Sequence, residues 1–204
     1  MITIVDYGLG NVMAFANVYK TLNVPVTLAR EPEQLTGATK VILPGVGAFD
    51  HAMDLLNASG MRPALERLVL EQKVPVLGVC VGMQMVAGGS EEGRLPGLGW
   101  IEGRVIRLDP SRLPHATHLP HMGWNDVRPT RDSPLFNGLE TEARFYFLHS
   151  YYFHCDKPAD VLAVARYGEE FCCAVSAGNV HGVQFHPEKS HRFGTRLLKN
   201  FAEL

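Results

Sequence analysis

A short apolar run, Val74 to Val79, ends in Gly78-Val79-Cys80-Val81-Gly82, and Met83, Gln84, Met85 and Val86 then continue with helical character until Gly88-Gly89. The run is rich in branched residues, as expected of a strand buried on both faces. A strand that turns at once into a helix around a nucleophile, with glycines two residues before and two after it, has the geometry of a nucleophile elbow. The glycines are required because any side chain there would collide as the chain folds back on itself. Cys80 would then stand at a helix N-terminus, where unpaired backbone N–H groups favour an anion. A thiol at its free pKa of about 8.5 is only about 3% ionised at pH 7, so such a location has chemical value. Taken alone, Cys80 also fits a small buried core residue. The choice between these rests on residues far downstream.

The rest of the chain supplies the sheet such an elbow needs. Ile2 to Val5 reads as a strand ending at Asp6, followed by the turn Tyr7-Gly8-Leu9-Gly10-Asn11 and a helix from Val12 to Leu22. That turn lacks the full Gly-x-Gly-x-x-Gly spacing, so a simple change of direction is favoured over a dinucleotide site. Pro25 to Leu28 and Val41 to Leu43 read as further strands, the latter running into Pro44-Gly45-Val46-Gly47. Helices are expected at Phe49–Asn57 and Met61–Gln72. Alternation of this kind predicts an α/β fold: an open, mostly parallel but mixed central sheet with helices on both faces, flavodoxin-like in outline. Its ligand crevice would lie beyond the carboxyl ends of the strands, where Asp6, Gly45 and Cys80 gather.

After Gly89 the pattern changes. Ile101, Val105 and Ile106 suggest antiparallel strands, and Arg107 to Leu119, rich in Pro, His and Ser, reads as an exposed excursion. Phe145 to Phe153 reads as one aromatic strand, with Val161–Ala165, Phe171–Val175 and Val180–Phe185 as three more. Ser190 is a candidate N-cap for a closing helix, Phe193 to Phe201. No repeat or linker divides the chain, so residues 1–204 are expected to form one domain.

The totals narrow the classes. A net charge of −2 gives no reason to expect nucleic acid or an anionic membrane as partner. No apolar stretch approaches the roughly 18 residues of a membrane span, and the N-terminus opens directly on a strand. Four cysteines in 204 residues do not make a disulfide framework, so reduced thiols in the cytoplasm are the simplest reading. Cys172 and Cys173, adjacent on a strand, are expected to place one thiol in the core. No Cys-x-x-Cys or His-x-x-x-His spacing argues for a metal, and no cofactor is called for.

The decisive residues follow the last strand, at His186-Pro187-Glu188. In an extended segment, residues two apart point to the same side, so imidazole and carboxylate can face one crevice. A carboxylate behind an imidazole fixes its tautomer and stabilises its charged form. Cys80, His186 and Glu188 are thus candidates for nucleophile, base and orienter. An acyl-transfer site also needs donors for the tetrahedral oxyanion. The backbone N–H of Val81 is one, and the loop Gly45-Val46-Gly47 can turn a second toward the site.

Three blocks, Gly78–Gln84, Pro44–Gly47 and Gln184-Phe185-His186-Pro187-Glu188-Lys189-Ser190, resemble those of the class I, triad-type glutamine amidotransferases. Asp6–Asn11, Pro120-His121-Met122-Gly123-Trp124-Asn125 and His149-Ser150-Tyr151 are similar to the glutaminase subunits of imidazole glycerol phosphate synthases. The resemblance spans nearly the whole chain. Val79 and Val81 stand where larger aliphatics are common, a departure that should not touch the chemistry. The resemblance implies hydrolysis of L-glutamine to glutamate through a Cys80 thioester, in histidine biosynthesis. It further implies that Gln84 and Glu92, with backbone from Gly45, Ser150 and Tyr151, hold the substrate. The implied partner is a (β/α)8-barrel cyclase subunit in a heterodimer, fed with ammonia through an internal tunnel. Trp124, Asn125, Pro120 and Asn11 are the implied interface and tunnel residues, and the isolated chain should be nearly silent.

Three other classes share part of this pattern. A paralogous glutaminase subunit feeding a surface-polysaccharide sugar would carry the same catalytic blocks. A stand-alone cysteine hydrolase of γ-glutamyl compounds would need no partner. A flavodoxin-like binding module would not need Cys80, His186 and Glu188 together.

Overall fold

Ile2–Val5, Val41–Gly45 and Val76–Cys80 are buried along their whole length, as strands covered on both faces must be. The computed structural model describes residues 1–113 and 117–204; the stretch 114–116 of the expected excursion lies outside the described residues. In chain order the elements are β1 (Ile2–Val5), α1 (Val12–Thr21), β2 (Val26–Ala29), β3 (Val41–Gly45), α2 (Phe49–Ala58), α3 (Arg62–Glu66), β4 (Val76–Cys80) and α4 (Val81–Met85). There follow β5 (Gly103–Arg107), β6 (His121–Asp126), β7 (Arg128–Pro129), β8 (Arg144–His149), β9 (Tyr151–Cys155), β10 (Val161–Tyr167), β11 (Glu169–Ala177), β12 (Val180–Val183) and α5 (His191–Glu203).

Eight strands form one sheet in the order β2-β1-β3-β4-β12-β11-β10-β7. From β2 to β12 the neighbours are parallel, and β11, β10 and β7 continue the sheet antiparallel. The connection through α1 steps outward to β2, and that through α2 and α3 steps the other way to β4. Right-handed crossovers therefore put these helices on opposite faces. α1 packs against α5, and α2 against α4. The mixed α/β sheet expected from the sequence is present. Two ribbons, β5 with β9 and β6 with β8, stand apart from it.

Several elements differ from the sequence reading. The aromatic stretch Phe145–Phe153 is two strands: β8 pairs with β6 and β9 with β5. The break falls at Ser150, whose carbonyl accepts from the Leu108 N–H, so each half follows its own partner. The helix expected at Met61–Gln72 is α3 followed by one wider π turn, Arg67–Glu71. Pro120–Asn125 contributes a strand, β6, that its small and polar residues did not announce. Cys172 and Cys173 are both buried, because β11 lies inside the sheet and is covered on both faces. All four cysteines are free. Among the described residues no helix is long and apolar enough to cross a membrane.

Candidate functional site

β4 delivers Cys80 at the carboxyl edge of the sheet between β3 and β12, and α4 begins with the next residue. Cys80 has φ +56 and ψ −114, a left-handed backbone that an L-residue adopts only when its surroundings enforce it. The enforcement is visible in the glycines. A Cβ on Gly78 would lie 2.6 Å from the Gly82 carbonyl oxygen and 2.8 Å from the Met83 nitrogen. One on Gly45 would lie 2.5 Å from the Gly82 nitrogen, and one on Gly82 would fall on the Leu43 carbonyl oxygen. β3, β4 and the first turn of α4 thus touch backbone to backbone, and the elbow has no room for side chains.

Cys80 is 4% exposed, yet its sulfur is not sealed in hydrocarbon. The Gln184 amide nitrogen lies 3.8 Å away and the Leu148 carbonyl oxygen 4.0 Å away, and His186 shares the wall of one cavity with it. His186 Nδ1 meets Glu188 Oε1 at 2.8 Å, which leaves Nε2 for the sulfur. The route to this contact differs from the extended one expected. Pro187–Lys189 forms a 3-10 turn, and Glu188 reaches the ring by folding back beneath it. The His186 backbone N–H donates to the Tyr146 carbonyl, tying the turn to β8. Ser190 sits at the N-cap position of α5, but its hydroxyl donates to the His186 carbonyl and accepts from the Tyr146 N–H, so it buttresses the turn instead of capping the helix.

Burial pulls the His186 pKa down, but the sulfur of Cys80 and the Glu188 carboxylate outweigh it and raise it to about 10. The ring is therefore held as imidazolium at neutral pH. Both side chains are almost fully buried, and among the described residues Glu188 Oε2 has no partner. The imidazolium is thus the main compensation for that carboxylate's charge.

A cavity of about 300 Å³ opens in front of the sulfur. Of the residues expected from the sequence, Cys80, His186, Val81, Val46, Gly47, Gln84, Glu92, Ser150, Tyr151 and Pro120 line it. Gly45 does not; its Cα is pressed on Gly82. Val46 and Gly47 lie just beyond that contact, with Gly47 at φ +84 and nothing within 4 Å of where its Cβ would be. Glu92 Oε2 accepts from the Phe49 N–H at the start of α2 at 3.0 Å, which fixes this exposed carboxylate on the cavity's outer wall. Gln84 donates to the Tyr151 carbonyl and to Gln184 Oε1, so it offers the cavity a carbonyl acceptor.

Asn11, Trp124 and Asn125 stand elsewhere. Asn11 caps α1 through its side-chain oxygen and the Ala14 N–H. Trp124, 42% exposed, stacks on His191 with ring centroids 5.5 Å apart. The Asn125 amide is turned inward, to His121 and the Arg166 carbonyl. Sequence reasoning missed four contributors: Gln184, His149, Leu148 and Lys189. The first two are buried polar side chains at strand ends, His149 closing β8 and Gln184 following β12, which stops at Val183 short of the expected Phe185; such a pattern marks a bonded network without saying to what.

Residues 3–204 match the family model for "Glutamine amidotransferase class-I". The chain belongs to this family. It is 64% identical over 204 residues to the "Imidazole glycerol phosphate synthase subunit HisH" of Bdellovibrio bacteriovorus, covering 100% of both chains. It is 50% identical, with the same full coverage of both, to the protein of that name from Leptospira borgpetersenii. The fold is similar to that in "Crystal structure of glutamine amidotransferase", with a TM-score of 0.75 over 99% of this chain and 97% of that one, at 23% identity. It is also similar to "Structure of PurLQS from Thermotoga maritima", with a TM-score of 0.71 at 16% identity, covering 99% of this chain and 97% of that one.

Proposed function

We propose that this chain is the glutaminase subunit of an imidazole glycerol phosphate synthase, hydrolysing L-glutamine to glutamate and passing the ammonia to a partner. The observation that carries this is one constellation: the Cys80 sulfur and His186, its imidazole bonded to the Glu188 carboxylate, share the wall of a cavity large enough for an amino acid. In this reading the Cys80 thiolate attacks the side-chain carboxamide carbon of glutamine. The oxyanion takes hydrogen bonds from the Val81 N–H and from the Gly45-Val46-Gly47 loop. His186 gives its proton to the departing nitrogen, and ammonia leaves as the thioester forms. Neutral His186 then takes a proton from water, which attacks the thioester and releases glutamate and Cys80. Gln84 and Glu92, with backbone from Ser150 and Tyr151, hold the amino-acid end; Gly45 acts only as the packed base of the oxyanion loop.

Ammonia released into water would be protonated, so the reading calls for a synthase bound over the site. Its occupant in this proposal is a (β/α)8-barrel cyclase subunit in a heterodimer. The β6–β8 ribbon offers a place for it. Met122 and Trp124 are exposed on β6, and Leu148, which pairs with Met122, is exposed on β8 and also lines the cavity. Pro120 links this ribbon to the cavity. Asn125 serves the ribbon from its inner side, and Asn11 contributes through the shape of the turn before α1.

The test is steady-state glutamate release by the chain alone, with the barrel subunit, and with the barrel subunit plus its acceptor nucleotide. Activity should be near background alone and rise sharply in the third case. Fast turnover without a partner would overturn the assignment, and stimulation only by a polysaccharide-sugar synthase would transfer it to that paralogous class.

A further inference from the structure

From the outer ribbon to the nucleophile runs a line of hydrogen bonds made by five side chains and one backbone carbonyl. The Asn125 amide bonds His121 Nε2 at 3.2 Å, and His121 Nδ1 bonds His149 Nε2 at 2.9 Å. His149 Nδ1 bonds the Tyr151 carbonyl at 2.8 Å, and Gln84 donates to the same carbonyl at 3.1 Å. The second N–H of Gln84 bonds Gln184 Oε1 at 3.0 Å, and the Gln184 amide reaches the Cys80 sulfur at 3.8 Å. We propose that His121, His149 and Gln184 are positioning residues of the glutaminase site, a single hydrogen-bonded chain that fixes the Cys80 sulfur and the Tyr151 carbonyl relative to the β6–β8 ribbon. This rests on the glutaminase reading above.

Proton placement along the line has only one consistent solution. Asn125 can only donate through its nitrogen, so His121 Nε2 accepts and His121 Nδ1 carries the proton. That proton goes to His149 Nε2, which leaves the His149 proton on Nδ1, where the Tyr151 carbonyl needs it. Each donor meets an acceptor, and no group along the line can be reversed without leaving a neighbour unpaired. Burial supports this by pushing both imidazoles down, His121 to about 4 and His149 to about 3, the latter lowered further by the neighbouring His121 ring. Both are neutral at working pH, so the tautomers are locked. The members are enclosed: His121, His149, Gln84 and Gln184 are 3%, 6%, 3% and 0% exposed. His121 is also clamped between the rings of Phe147 and Tyr167, at centroid distances of 4.7 and 4.1 Å. A buried polar line of this kind has no solvent alternative, so losing one link displaces its neighbours.

The experiment uses the reconstituted complex with its barrel subunit. It measures glutamate turnover and, separately, capture of Cys80 by iodoacetamide. Q184M removes the donor to sulfur, and H121F keeps the ring stack while cutting the line. Each should slow iodoacetamide capture by about tenfold, with kcat falling by more than KM rises. The double variant should be no slower than the more impaired single one, as for residues acting as one unit. H121N, whose amide nitrogen occupies the place of Nδ1, should stay within about twofold of wild type, whereas H121Q should resemble H121F. A folded H121F protein that is captured at the wild-type rate overturns the proposal. So do losses that multiply in the double variant. Should H121F fail to fold, equal rates for H121N and H121Q overturn it instead. Iodoacetamide capture does not depend on glutamine being the substrate. A wild-type complex that releases no glutamate would therefore sink the glutaminase reading while leaving the positioning chain open to this test.

Discussion

Replacing Gly78 by Ala tests whether the backbone packing at the elbow sets the rate. The new methyl would sit 2.6 Å from the Gly82 carbonyl oxygen and 2.8 Å from both the Gly82 carbonyl carbon and the Met83 nitrogen, where ordinary contact begins at 3.4 Å. β4 cannot yield, because it is bonded to β3 on one side and β12 on the other. The first turn of α4 must therefore retreat by several tenths of an ångström to nearly one, carrying the Cys80–Val81 peptide with it. A displacement of about 1 Å in a reacting group costs about a hundredfold in rate, so a loss of about tenfold to a hundredfold is expected. Overpacking of this kind also destabilises by about 1–3 kcal/mol. Turnover by the partner-bound complex gives the rate, and urea unfolding gives the stability. Gly89→Ala is the control, since a Cβ there meets nothing within 4 Å, and it should match wild type in both. A folded Gly78→Ala protein with wild-type turnover would refute the reasoning.

Glu188→Gln removes the charge that helps hold His186 as imidazolium, so the ring's titration, followed by NMR, should move down from its raised value. Turnover should fall by more than about tenfold; an unmoved titration would contradict the role given to the carboxylate. Phe145 stacks on Phe185 with centroids 3.9 Å apart and is fully buried, so Phe145→Ala should cost about 3–5 kcal/mol in urea unfolding. A loss under about 1 kcal/mol would show that the site collapses freely. His149, His121 and His181 have folded pKa values pushed by burial to about 3, 4 and 4, below the unfolded value of about 6.5. The native state then binds fewer protons than the unfolded one across that window. Stability should fall as pH drops from about 6.5 toward 4, by about 1.4 kcal/mol per pH unit for each histidine. His181→Asn, which keeps a donor or acceptor toward Ser176, should reduce that slope, and an unchanged slope would argue against a neutral buried His181.

What the sequence made legible was whatever depends on short-range pattern. The glycines flanking Cys80, the branched run before it and the His-x-Glu step each impose local geometry, and all three meet at the predicted edge. Contacts set by partners distant in the chain were less visible. Phe145–Phe153 is uniformly aromatic, and only the pairing of its halves with β6 and β5 reveals the break at Ser150. Ser190 sits where a cap belongs, yet Tyr146 and His186 claim its hydroxyl. Gln184 lies inside a motif that was recognised, but its bond to the sulfur exists only because β12 lies beside β4. Asn11 and Asn125 are expected at the interface from the resemblance; what the pattern does not reveal is that the exposed Asn11 side chain caps α1 and that the Asn125 amide bonds His121 and the Arg166 carbonyl.

The break at Ser150 also makes this stretch intolerant of changes in length. Phe145, Phe147 and His149 alternate toward the interior, and the next strand starts one residue later with Tyr151 at the cavity. Deleting or inserting a single residue before Ser150 would exchange inner and outer side chains along β8, turning Arg144, Tyr146 and Leu148 inward. A substitution here alters the contacts of one side chain, whereas a slip of one residue reverses the facing of every side chain along β8.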